Sequence, residues 1–476
     1  MVLKQAQLIK LSLLATSAAA VLAMAIVHPA EADISNTATG GGALQSNTTG
    51  IYNTADGFNA LFSNTTGQTN TASGGYALYS NTTGVGNTAT GTSALQNNTT
   101  ANGNTASGGY ALFSNTTGVG NTANGYTALS YNSTGIYNTA DGFDALFSNT
   151  TGNSNTANGG GALQNNTTGS NNTATGVHAL YRNTTGTYNI ATGVNALYSN
   201  TTANYNTANG ANALYSNTTG YNNAANGTNA LLSNTTGTYN TANGVNALYH
   251  NTTANFNTSN GANALFQNVS GFQNTANGVA ALYTNTLGSY NTALGVWADV
   301  TSNNLTNATA IGYSAKVNAS NKVRIGNTWV TRIEGQVPWS STSDKRLKNH
   351  ITDLPLGLDF ITKLRPVEYV RNNNTAQTKE WGIIAQELQQ TLKDVNYKDA
   401  GIVEEDSSAE KYMTVRYNDL LAPMIKAIQE QNKTIRNQEK INQEQEKTIR
   451  NQERINQEQE KTIMALLKRI EALEKK

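Results

Sequence analysis

The sequence predicts a mainly β fold: a β-solenoid or β-roll of sixteen 17-residue repeats, followed by a small α+β domain that ends in a long coiled-coil helix. Three observations carry this prediction. Asn36, Asn53, Asn70 and Asn87 begin a series that continues in step to Asn291, sixteen copies without an insertion. Charge is segregated, with only Asp56, Asp141, Asp144, Arg182 and Asp299 charged between residues 36 and 300. After Pro423 the chain has no proline or glycine and takes on a heptad pattern.

The first 32 residues read as an export signal. Lys4 and Lys10 precede the apolar run Leu11 to Val27, and an A-x-A-type site ends at Ala32, so mature protein begins near Asp33. The competing reading is an uncleaved membrane anchor, because 17 apolar residues sit at the lower limit for a span. No other segment is apolar enough to cross a bilayer, so the expected location is secreted or at the cell surface.

The repeats, residues 33–306, open with NTATGGGALQSNTTGIY, NTADGFNALFSNTTGQT and NTASGGYALYSNTTGVG. Strict register means that each unit stacks on its neighbour. Gly40, Gly57, Gly74 and each equivalent down to Gly295 are glycine, which implies positive φ or crowded backbone once per unit. Leu44, Leu61, Leu78 and their equivalents to Leu282 are leucine, each preceded by alanine. One leucine and two alanines cannot bury a core alone, but stacked units make a continuous apolar ladder. Helix is excluded because Gly, Asn and Thr are poor helix formers and the TTG punctuation recurs too often. Short strands joined by Gly/Asn turns remain, with Asn and Thr forming hydrogen-bonded ladders along a rod of roughly 75 Å at about 4.8 Å per coil.

Nothing in the rod brings together a carboxylate pair, a histidine with a nucleophile, or metal ligands. There is no cysteine, so thiolate sites and disulfides are absent, and a net charge of +1 gives no reason to expect nucleic acid. Neither a metal nor a cofactor is expected. The recurring rings at Phe62, Tyr79, Phe113, Phe147, Tyr181, Tyr198, Tyr215, Tyr249, Phe266 and Tyr283 either stack on sugars of a cell-surface glycan or receptor, or cap the leucine ladder or a chain–chain interface. Ice binding is disfavoured because the threonines are mixed with asparagine and lack a plain T-x-T series. The many N-x-T triplets follow from the repeat and are not evidence of glycosylation.

Residues 307–339 form a connector. Within it NATAIGYSAKVNASNKVRIGN (Asn307 to Asn327) resembles the heads of trimeric autotransporter adhesins, which the 17-residue repeats resemble more weakly, their period being longer.

Residues 340–432 have ordinary α+β composition. SDKRLK (Ser343 to Lys348), LDFITKLRPVEY (Leu358 to Tyr369), WGIIAQEL (Trp381 to Leu388) and MTVRYNDLLAPMIKAIQE (Met413 to Glu430) occur in the order of the C-terminal intramolecular chaperone auto-processing domain, to which this region is similar. That domain is the endosialidase-type serine peptidase family of phage tail spikes and tail fibres. The resemblance implies a homotrimeric fibre with a folding clamp that brings three chains into register and then cuts itself away. It also implies a Ser-Lys dyad at Ser343 and Lys348, cleavage between Thr342 and Ser343, and supporting roles for Asp344 and Arg346.

Lys348 must be neutral to accept the hydroxyl proton, so burial or nearby cations have to lower its usual pKa of about 10.4, and Arg346 is a cation within reach. On local features alone, Ser-Asp before KRLK is an ordinary helix N-cap in a solvated turn. Gln386 and Glu387 take a structural helix role. The rival to a self-cleaving fibre is a surface adhesin whose C-terminal domain only trimerises.

Residues 433–476 complete the coiled coil. Leu421, Ile428, Ile435, Asn442, Ile449, Asn456, Ile463 and Ile470 fall at a, while Met424, a run of glutamines, Leu466 and Leu473 fall at d. The seam is apolar at its ends and polar in the middle, which fixes register at some expense of stability.

Overall fold

The computed structural model describes residues 35–475 apart from 373, 376, 398–400 and 406–410. The expected export signal lies outside the described residues. Among those residues no helix is long and apolar enough to cross a membrane. The chain divides into two compact units that part between Asn327 and Thr328, so the connector expected over 307–339 is shared between them.

The first unit is the solenoid. Each copy contributes one three-residue strand, from β1 (Thr37–Thr39) and β2 (Thr54–Asp56) at 17-residue intervals to β16 (Thr292–Leu294). All pair in parallel with the next copy, as in Ala55↔Ala72 and Ala72↔Ala89. From β2 onward the middle residue of each strand points inward, and Ala55, Ala60 and Leu61 head series that are buried coil after coil, whereas in the first coil Ala38 is exposed and Ala43 and Leu44 are partly buried. The predicted apolar ladder is therefore the core of the rod.

The conserved glycine of each repeat meets both conditions that its recurrence implied. Gly142 has φ +137°, and a Cβ there would lie 2.7 Å from the carbonyl carbon of Gly159 in the next coil. A different feature was not legible in the sequence: the ladder leucines also adopt the left-handed region, with φ near 50° at Leu61, Leu146 and Leu265. That conformation costs an ordinary residue about 1–2 kcal/mol. Burying a whole leucine side chain returns about 1.5–3 kcal/mol, so the site is held by packing.

Two asparagine columns run the length of the core. Asn70 receives its neighbour through its own backbone, its N–H lying 3.0 Å from Asn53 Oδ1, while its Nδ2 donates to Gly84 O at 2.8 Å. In the second column Asn81 Nδ2 donates to Asn64 Oδ1 at 2.8 Å. A threonine column adds hydroxyl-to-carbonyl bonds such as Thr82 Oγ1 to Thr99 O, 3.1 Å. Among the described residues no buried side-chain polar atom lacks a partner. Asparagine recurs because its amide supplies a donor and an acceptor along the same axis, closing the backbone groups that a turn-rich coil would strand.

This burial also disposes of the Asn-Thr-Thr triplets that the second column supplies. Asn64 opens Asn-Thr-Thr, yet it is 0% exposed and its Nδ2 is bonded to Asn47 Oδ1 and Gly67 O. A glycan there is incompatible with the stacked coil. Expressed through a eukaryotic secretory route, chains that carry glycans at these positions should be recovered protease-sensitive and unglycosylated ones resistant, read by limited proteolysis with and without enzymatic deglycosylation.

The solenoid changes at its end. Asp299 stands where the leucine ladder continues, is 1% exposed, and pairs with Lys316 Nζ at 3.2 Å while Thr284 Oγ1 donates to it at 3.0 Å. Burial pushes its carboxyl up, against the opposing pull of Lys316 and the Val300 N–H. Here the chain is extended: β17 (Asp299–Val300) pairs with β19 (Lys316–Val317), and β18 (Thr309–Ile311) pairs with β20 (Val323–Ile325). The coil from Thr309 to Val323 takes 14 residues in place of 17.

The second unit is small. β21 (Val367–Tyr369) pairs antiparallel with β22 (Glu380–Gly382), and β23 (Val403–Glu405) with β24 (Met413–Val415). Helices α1 (Leu358–Ile361) and α2 (Ala385–Asp394) supply Phe360, Leu388 and Leu392 to a core shared with Leu356, Ile402 and Leu420. Helix α3 (Leu421–Glu474) is continuous over 54 residues.

Candidate active site

The stretch that carries the predicted dyad is built on one short turn. Residues 345–347 form a 3-10 turn, capped by Asp344, whose side chain accepts from Arg346 N–H at 2.8 Å. The N-cap reading of this motif is correct for Asp344 and does not compete with the dyad. By closing the turn, Asp344 folds the chain so that Lys348 Nζ donates to Ser343 Oγ at 2.5 Å. Thr342, which supplies the expected scissile carbonyl, is exposed immediately before them.

Arg346 is engaged by Asp344. Its guanidinium forms a fork with the Asp344 carboxylate, at 2.7 Å from Nη2 and 3.1 Å from Nε. The pairing holds the Asp344 carboxyl below its usual range and the Arg346 guanidinium above its own. Arg346 thus stiffens the turn through Asp344. His350, the nearby imidazole, is exposed and takes no part in the pair.

Ser343 and Lys348 are both exposed, as are Leu347 at 74% and Ile351 at 61%. General-base action by lysine needs the free amine, and removal from water is what favours it. Among the described residues of one chain nothing covers the pair.

Glu387 has the structural role expected. It binds Arg365, joining the LRP and AQE segments, and that guanidinium lowers the Glu387 carboxyl. Tyr417 adds a second tie, its hydroxyl accepting from Ile383 N–H at 3.1 Å.

On the solenoid the predicted rings stack in runs, which Gln96, Ser130, Gln164 and Leu232 interrupt. Tyr181, Tyr198 and Tyr215 stack at 5.1 Å with planes within 8°, and Phe266 lies on Tyr283 at 5.2 Å and 2°. Within these runs the ring faces are used between coils, whereas Phe113 meets Tyr110 at a tilt and Phe147 meets Tyr131 edge-on.

The chain thus holds a stacked β-solenoid and a separate C-terminal unit with an exposed Ser–Lys pair and a long helix. Residues 343–397 match the family described as chaperone of endosialidase, so the C-terminal unit carries that domain. None of the curated proteins matches the chain.

Proposed function

We propose that the protein is an exported homotrimeric fibre whose C-terminal domain aligns three chains and then severs itself between Thr342 and Ser343. The observation that carries this reading is the 2.5 Å contact of Lys348 Nζ with Ser343 Oγ, at the residue where the family match begins. In the reaction Lys348, as free amine, takes the proton of Ser343 Oγ, which attacks the carbonyl carbon of Thr342. The C–N bond breaks, the proton passes to the departing Ser343 nitrogen, and an ester joins Thr342 to Ser343 Oγ. Water opens that ester, leaving a carboxylate on Thr342 and restoring the serine hydroxyl. No cofactor enters.

Trimerisation supplies the missing cover. The start of α3 has two faces: Pro423 and Ala427 are buried against the domain, whereas Leu421, Met424, Ile425 and Ile428 are 47–63% exposed. The exposed face holds the heptad a and d positions and runs on to Ile435, so it is the seam for two further copies of the chain. A repeat with sixteen nearly equal coils can pair between chains in slipped registers, and a non-repetitive domain that trimerises first removes the ambiguity. Adhesion at a surface is the proposed role of the rod, through hydroxyls, amides and ring edges.

Two measurements test the reading. Light scattering should give three times the chain mass, and Ile428→Asp, which places three carboxylates in one seam layer, should reduce it to the monomer. On a denaturing gel the purified wild-type chain should run as two pieces that part before Ser343. A single full-length band from the trimer would leave only the adhesin whose C-terminal domain trimerises without cutting.

A further inference from the structure

Two side chains one turn apart on α3 reach back across 72 residues to the segment that follows the dyad. Lys426 Nζ donates to the Leu354 carbonyl at 2.6 Å, and the Leu358 N–H donates to Glu430 Oε2 at 2.7 Å. The two are also paired to each other at 3.8 Å. Gly357 makes the second contact possible: a Cβ there would lie 2.3 Å from Glu430 Oε2. The core beneath is closed by Leu356 and Phe360.

These contacts occupy heptad positions f and c. Leu421, Met424, Ile425 and Ile428, on the same turns, occupy a, d and e and stay exposed. One stretch of helix therefore holds the domain on one face and offers the seam on the other. Lys348 is six residues before Leu354, a span of roughly 20 Å at full extension, so the clamp limits where the Ser343–Lys348 pair can lie relative to the seam.

We propose that Lys426, Glu430 and Gly357 are positioning residues for self-cleavage: they leash the Ser343–Lys348 segment to the seam-bearing helix, so that the pair is covered only when three helices are joined. This rests on the self-cleavage reading above. The clamp is not needed for the seam itself, whose residues point the other way, and it is not catalytic, since it touches neither Ser343 nor Thr342. Its effect is on placement, and small displacements of a reacting group are costly in rate.

The test uses the full chain and follows the cut fraction with time and pH, with trimer mass measured on the same samples. Glu430→Ala, Gly357→Ala and Lys426→Met should form trimers and cut ~10-fold or more slowly, with an unchanged pH midpoint. Glu430→Gln, whose amide oxygen still accepts from Leu358, and Lys426→Arg, which still donates to Leu354, should cut at close to the wild-type rate. A trimeric Glu430→Ala chain that cuts as fast as wild type would overturn the positioning role and leave self-cleavage standing. Loss of the trimer in the alanine variants would overturn it too, by placing these residues in assembly. An uncut wild-type trimer removes the self-cleavage reading, and the positioning role with it.

Discussion

Ser343→Ala should leave every chain intact, as a trimer that shows one full-length band on a denaturing gel. The variant lacks the oxygen that would attack Thr342, so no acyl shift is open to it. Lys348→Ala should behave nearly alike, since losing a general base typically costs 10²–10⁴-fold, about 3–5 kcal/mol of barrier. Neither residue lies in the domain core or on the helix seam, so the trimer mass should hold. Lys348→Arg keeps the charge and a donor to Ser343 Oγ but cannot become a base at neutral pH, and it should also stay uncut. Asp344→Asn is the graded control. It weakens the fork with Arg346 while the side-chain oxygen still caps the turn, so cutting should slow without stopping. Unimpeded cutting in Lys348→Ala would remove the lysine from the mechanism whatever its distance from Ser343.

The fork itself has a defined pH range. The Asp344 carboxyl is lowered in the folded chain by Arg346, so its pairing is complete above the ordinary carboxylate pKa of about 3.9 and is lost only as pH falls through the lower folded value. At neutral pH the Asp344 carboxylate is therefore ionised and able to hold the fork.

The second large effect belongs to the rod. Asn155→Ala should lower the stability of the middle coils by ~2–4 kcal/mol. Asn155 Nδ2 donates to Gly169 O at 2.8 Å and to Asn138 Oδ1 at 3.2 Å, and its Oδ1 accepts from Asn172 N–H at 3.0 Å. The substitution removes these bonds, together with the one from Asn172 Nδ2 to Asn155 Oδ1 at 3.2 Å, and leaves the fully buried Asn172 N–H without that acceptor. A stacked repeat is held by its nearest neighbours, so the damage is local and should divide one cooperative urea transition into two. Limited proteolysis should then cut between residues 150 and 175. Asn158→Ala, three residues on and exposed, is the matched control and should change little. Equal midpoints for the two variants would show that the buried column contributes nothing.

Much of this architecture was legible because a repeat compares its own positions. Sixteen glycines in register identify a backbone that tolerates nothing else, and fifteen leucines identify the core. Gly142 and Leu146 satisfy both readings. The ordered motifs from Ser343 onward likewise locate the chaperone domain, and residues 343–397 match it.

What the amino-acid series determined by itself was therefore identity and period: where the coils begin, which positions they need, and where the repeat yields to a different domain. Partnership came only with the tertiary structure. Asn155 meets Asn138 and Asn172 because the winding sets them one coil apart, and Leu146 enters the left-handed region because packing outweighs the local cost. Arg346 pairs with Asp344, and Glu430 reaches Leu358 across 72 residues. Period and composition are properties of the chain read in order. Hydrogen bonds and ion pairs are decided by distances that exist only after it has folded.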